Sequence, residues 1–183
     1  MSRGKIIQYL EMEFSAEKIF FSKLIGNVTP VAEFNIHVDP LAAHIVFESN
    51  LNVYMLPLDV THTAIFTDKE LELVKSIQTP FGKIMHDLLV FYVGSFSAKY
   101  GIKEPPLHDP CAAFFLINPL AFDYKLMRVD VEINVKSICY GQTVVDYYDT
   151  IKAKNKNVNV FLKMNVDEFW KTLIESFEKT ENF

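Results

Sequence analysis

The chain has 183 residues, half of them hydrophobic and 14% aromatic, enough to bury a sizeable core as one domain or as part of a larger one. A formal net charge of −5 and a pI near 5.5, with no run of Lys or Arg, speak against nucleic acid or an anionic membrane surface as a partner. No uncharged apolar run approaches the ~18 residues of a membrane span, residues 1–25 are too punctuated by charge for a secretory signal, and Cys111 and Cys139 lack metal-ligand spacing, so a soluble cytoplasmic protein with reduced thiols is expected.

Residues 1–25 read as one or two helical turns, with Ile6, Ile7, Leu10 and Phe14 at helical spacing and Ser15 placed to cap Ala16–Leu24. From Gly26 to Pro40 the character changes, because Asn27, Glu33 and Asn35 stand among apolar residues. Two carboxamides and a carboxylate donate to and accept from a compact polyhydroxyl group, of which a ribose is one. The same residues also suit a ligand-free role: Asn27 as a turn residue after Gly26, Glu33 bonding loop amides, Asn35 ending a strand. Asp39 and Pro40 then open a helix to about Glu48, with Asp at the N-cap and Pro in the first helical position. Asn52–Pro57 is an apolar strand with Leu58–His62 leading out of it. Open α/β sheets gather ligand groups at strand carboxyl ends, so Asp59 and His62 join the candidates, although a turn Asp and a satisfied His explain them equally well.

Thr67–Ile77 is a short surface helix started by Thr67 or Asp68, and Pro80 opens a longer one to Tyr100 that Gly101 ends. Its apolar side is expected to combine Ile84, Leu88, Phe91, Tyr92 and Phe96. Prolines 105 and 106 stiffen the approach to Leu107-His108-Asp109-Pro110, and Asp109-Pro110 starts a helix to about Ile117, with an N-capping Asp and a surface His as the plain reading. Lys125–Val135 alternates as a strand, Ser137–Val145 pairs with it across a turn, and Asn157–Met164 alternates again. Val166–Lys179 closes the chain as an amphipathic helix with Phe169, Trp170, Leu173, Ile174 and Phe177 on one face.

Two strings carry a family resemblance, and a third, Pro57-Leu-Asp-Val-Thr-His62, shares it. Asn27-Val-Thr-Pro-Val-Ala-Glu33-Phe-Asn35-Ile-His-Val-Asp-Pro resembles the ribose-binding segment of the inosine-uridine-type nucleoside hydrolases, and Pro106-Leu-His108-Asp109-Pro-Cys-Ala resembles a second segment of the same family. The resemblance implies ribose contacts at Asn27, Glu33 and Asn35, a calcium ligand at Asp109, service to the leaving base by His108, and aromatic base contacts from among Tyr92, Phe96 and Tyr100. An aspartate suits a hard cation such as Ca²⁺, and an imidazole with pKa near ~6.5 suits proton donation near neutrality. The implied fold is α/β: an open, mainly parallel Rossmann-like sheet flanked by helices, with C-terminal β strands and a closing helix.

The resemblance covers residues 26–183, leaving 1–25 as a divergent segment. The chain has no Asp-x-Asp-x-Gly-x-Asp-Asp motif, which in the family supplies most of the calcium ligands. Two functions are therefore expected to compete. One is hydrolysis of a purine or pyrimidine ribonucleoside to ribose and free base, incomplete in this chain alone; the other is a shortened, non-catalytic homologue that binds nucleosides or associates with a full-length homologue or a second copy. A parallel sheet without its first strands is expected to expose an apolar edge.

Overall fold

A computed structural model of the protein describes residues 26–152 and 155–180. The helical segment expected at Ala16–Leu24 lies outside the described residues. The first described elements are short: Glu33 caps α1 (Phe34–Val38), and Asp39 caps α2 (Pro40–Phe47) by accepting from the Ala42 amide at 2.9 Å, with Pro40 at the first position as expected. Strand β1 (Val53–Met55) follows, then a single turn of helix, α3 (Leu58–Thr61). Thr67 caps α4 (Asp68–Ser76) in a capping box with Glu70, Thr79 caps α5 (Pro80–Tyr100), and Gly101, at φ 70°, ends it. Helix α6 (Asp109–Ile117) leads through a 3₁₀ turn into β2 (Phe122–Val131), followed by β3 (Thr143–Asp146), β4 (Val158–Met164) and α7 (Val166–Lys179), whose Asn165 cap accepts from the Glu168 amide.

The strands order as β1-β4-β2-β3. Strand β1 pairs parallel with β4, whereas β2 runs antiparallel to both β4 and β3. The α/β class with flanking helices is as expected; among the described strands, parallel pairing is confined to the β1–β4 ladder, because β2, β3 and β4 are the C-terminal strands that fold back on one another. Strand β1 lies at one end of this order of described strands, and Tyr54 at its centre is 38% exposed.

The core has two parts, and β4 divides between them by its two-residue period. Val158 and Val160 join Phe47, Met127, Val129 and Val131 under α2, while Phe161 joins Phe66, Phe114, Phe122 and Phe169 under α4 to α7. Arg128, itself buried, bonds Glu48 and Asp130 and so ties the end of α2 to β2.

Helix α5 departs from its expected orientation. Ile84, Leu88 and Phe91 are exposed, Phe91 by 74%, whereas Phe81, Met85, Leu89, Tyr92 and Val93 meet the core. The helix carries apolar residues around most of its circumference, so spacing alone does not select a face; contacts with α4 and α7 select it. Among the described residues no helix is long and apolar enough to cross a membrane.

Candidate functional site

The polar stretch around Asn27 folds on itself before it offers anything to a ligand. The amides of Asn27 and Val28 donate to the Ala32 carbonyl at 3.1 and 3.2 Å, and Asn27 Oδ1 accepts from the Phe34 amide at 2.8 Å. Glu33 Oε2 accepts from the amides of Asn35 and Ile36 at 2.8 and 3.3 Å, and Oε1 accepts from Asn35 Nδ2 at 3.3 Å. The side chains thus cap α1, which places Asn35 in its first turn rather than at a strand end. These bonds commit Asn27 Oδ1 and Asn35 Nδ2, so Asn27 Nδ2 and Asn35 Oδ1 are the groups the two amides can turn outward. Gly141, at φ 83°, backs this unit: a Cβ there would meet Ala32 Cβ at 3.1 Å and His37 Cα at 3.4 Å.

The second stretch arrives by backbone pairing. Phe66 N donates to Pro105 O and Leu107 N to Ala64 O, both at 2.9 Å, which lays 105–108 beside the end of α3. Thr61 Oγ1 then stands 2.7 Å from His108 Nδ1, and the rings of His62 and His108 meet edge to face at 5.1 Å. His62 Nδ1 is 2.8 Å from the Leu58 carbonyl and therefore carries a hydrogen. Burial lowers the His108 pKa from its ordinary value, and the neighbouring His62 lowers it further against an opposing pull from Asp109. Asp109 is not the N-cap expected from Asp-Pro: His108 occupies that position, and Asp109 is the first helical residue, where its charge suits the positive end of the helix.

Asn27, Glu33, Asn35, His108 and Asp109 all line one cleft of ≈ 870 Å³, with Thr61, Lys99 and Tyr100 completing its polar wall. Of the three aromatic candidates, Tyr100 lines the cleft, with the tilted ring of Phe96 packed against it, centroids 4.6 Å apart. Tyr92 is turned to the scaffold, donating its hydroxyl to the Pro106 carbonyl at 2.7 Å. An adjoining groove of ≈ 550 Å³ runs along β1 and shares Glu33, Asn35, Leu56 and Leu58 with the cleft; Asp59 lines this groove and not the cleft. Thr61 and Lys99 were not singled out by sequence. Thr61 sits inside the Pro-Leu-Asp-Val-Thr-His string, but nothing in residue type directs attention to it.

Residues 19–171 match the family model described as inosine-uridine preferring nucleoside hydrolase. The chain belongs to this family. A probable ribonucleoside hydrolase of Dictyostelium discoideum is 43% identical over 163 residues, covering 86% of this chain and 47% of that protein. An inosine-uridine preferring nucleoside hydrolase of Leishmania major is 36% identical over 154 residues, covering 84% of this chain and 48% of that protein. A solved plant nucleoside hydrolase superposes with a TM-score of 0.76 at 27% identity, over 84% of this chain and 50% of that one. The chain thus spans about half the length of the relatives it matches.

The calcium that the resemblance implies does not fit the described residues alone. No group of three or more His, Cys, Asp or Glu side chains able to hold a metal is present among them. Ca²⁺ takes about 6–8 oxygen ligands, of which the Asp109 carboxylate supplies at most two.

Proposed function

We propose that this chain carries the sugar-contacting and base-contacting groups of a ribonucleoside hydrolase site. One observation carries the reading: five side chains from two segments some seventy residues apart in sequence converge on one cleft. In that cleft Asn27 Nδ2 donates to, and Asn35 Oδ1 and the remaining lone pairs of Glu33 accept from, ribose hydroxyls, an arrangement rigid enough to orient the sugar because the Asn27 and Glu33 side chains are bonded to backbone amides and the Asn35 side chain to Glu33. Tyr100 faces the base, and His108 is the group beside which the base departs. The reaction is addition of water across the N-glycosidic bond: the bond from C1′ to the base nitrogen breaks, the water oxygen bonds to C1′, and one water proton ends on the base, through a cationic sugar transition state as in other glycoside cleavages. Asp109 is the oxygen ligand that the described residues would contribute to a cation, and the remaining ligands must come from outside them.

Activity of the chain toward a purine or pyrimidine ribonucleoside and cytoplasmic residence belong to the same proposal. The experiment is ribose release from inosine and from uridine by the purified chain, with calcium and with chelator, beside isothermal titration of each nucleoside into the native chain and Asn35→Ala. Nucleoside binding that Asn35→Ala weakens by about tenfold, the worth of one or two hydrogen bonds to the sugar, supports the sugar site. Release that needs calcium and fails in Asp109→Ala supports the hydrolytic half. A folded chain that neither binds nor cleaves overturns both, and binding without release overturns hydrolysis by this chain alone.

A further inference from the structure

The contact between Thr61 and His108 fixes more than the angle of a ring. Thr61 is 4% exposed and 47 positions from His108, so this bond is made by the fold and not by local sequence. A hydroxyl has one hydrogen to give, and among the described residues two acceptors are in range of this one: His108 Nδ1 at 2.7 Å and the Leu58 carbonyl at 3.5 Å. The carbonyl is already served. His62 donates to it twice, from its amide at 2.8 Å and from Nδ1 at 2.8 Å, which uses both lone pairs. A third donor at the outer limit of hydrogen-bond length adds little, so the Thr61 hydrogen points to the ring nitrogen.

We propose that Thr61 is a positioning residue that holds neutral His108 in a single tautomer, with Nδ1 accepting from the hydroxyl and Nε2 carrying the hydrogen toward the cleft. The neighbouring His62 holds the opposite tautomer, its Nδ1–H spent on Leu58. His108 therefore meets a ligand in the cleft as a hydrogen-bond donor. Resting on the reading of the cleft given above, that ligand atom is an acceptor on the departing base. Without the Thr61 hydroxyl the ring is free to exchange tautomers or turn over, and only a fraction of molecules present the donor.

The test separates this proposal from that reading. Long-range proton–nitrogen spectra of ¹⁵N-histidine-labelled protein, at one fixed pH above neutrality, identify the protonated nitrogen of each ring whether or not the chain turns over. The native chain is expected to show His108 with hydrogen on Nε2 and His62 with hydrogen on Nδ1. Thr61→Val, close to isosteric but without the hydroxyl, should average the His108 pattern and leave that of His62 in place, which also reports an intact fold; Thr61→Ser, which keeps the hydroxyl, should keep the native His108 pattern. Where ribose release is measurable, Thr61→Val should lower kcat by about 10–100-fold with KM nearly unchanged, the range found when metal-bound histidines lose an orienting partner. Hydrogen on Nδ1 of His108 in the native chain, or an unaltered His108 pattern in Thr61→Val, overturns the proposal. Absence of turnover in every variant, with the nitrogen pattern as expected, overturns hydrolysis and leaves the Thr61 assignment standing.

Discussion

Replacing Glu33 by Ala removes an N-cap and a side-chain tether together, and both costs follow from the geometry. The carboxylate accepts from the amides of Asn35 and Ile36, and loss of such a cap costs about 1 kcal/mol within a range of about 0.5–2. The bond from Asn35 Nδ2, exposed and 3.3 Å long, adds about 0.5 kcal/mol. The sum, about 1.5 kcal/mol, corresponds to a fall in Tm of about 3–6 °C for a chain of this size. Glu33→Gln keeps an acceptor for the Asn35 amide and gives up the favourable charge at the helix start, so it should cost about 0.5 kcal/mol. Thermal unfolding followed by far-ultraviolet circular dichroism, with urea titration to obtain ΔG at one temperature, measures all three proteins. A Glu33→Ala chain within 1 °C of native would refute the assignment of these bonds as caps, and a Gln variant as unstable as the Ala variant would show that the charge rather than the acceptor geometry supplies the stabilisation.

Gly26→Ala should disrupt the Asn27 turn, since a Cβ there would lie under 3.0 Å from backbone atoms of Thr29 and Ala32; loss of nucleoside binding in a chain with native circular dichroism is the expected result. Phe169→Ala, at a position 1% exposed and in ring contact with Phe114 and Trp170, should destabilise by about 3–5 kcal/mol in urea titration. Cys111, fully buried, has its thiol pushed up to about 12 by burial, so alkylation of the folded chain near pH 8 should label Cys139 and spare Cys111. The sign of its pH dependence follows: the unfolded thiol ionises near ~8.5 and the folded one near 12, so the unfolded state holds fewer protons between those values, and stability, intact below the unfolded pKa, falls as pH rises through the window. Cys111→Ala should flatten that fall in Tm between pH 8.5 and 10, whatever it does to Tm at neutrality.

The features legible in the sequence are those decided within a few residues. Asp39-Pro40 and Thr79-Pro80 announce helix starts, Gly101 announces a stop, and α7 spans the expected Val166–Lys179, because caps and prolines act on their immediate neighbours. Helices α1 and α3, of 5 and 4 residues, are too short for any periodicity to register, and the sequence shows only a loop and a strand exit there. Strand β2 begins at Phe122 rather than Lys125 and stops at Val131 rather than Val135, since pairing with β4 and β3 sets its ends. The same limit governs the site. Asn27, Glu33, Asn35, His108 and Asp109 were legible through two strings of residues, but that Tyr100 and not Tyr92 faces the cleft depends on the Pro106 carbonyl that captures the Tyr92 hydroxyl. Thr61 gains its role solely from a partner 47 residues away.

The side chains that cap α1 make the cleft report on itself. The amide protons of Phe34, Asn35 and Ile36 are held by Asn27 Oδ1 and the Glu33 carboxylate, so their exchange with solvent deuterium is governed by how often these two side chains let go. A sugar gripped by the outward groups of the same side chains pins them in place. Three adjacent amides, in a helix of 5 residues that would otherwise exchange quickly, should then slow together on saturation, and a molecule lodged only in the groove along β1 should leave at least the Phe34 amide, held by a residue outside that groove, at its former rate.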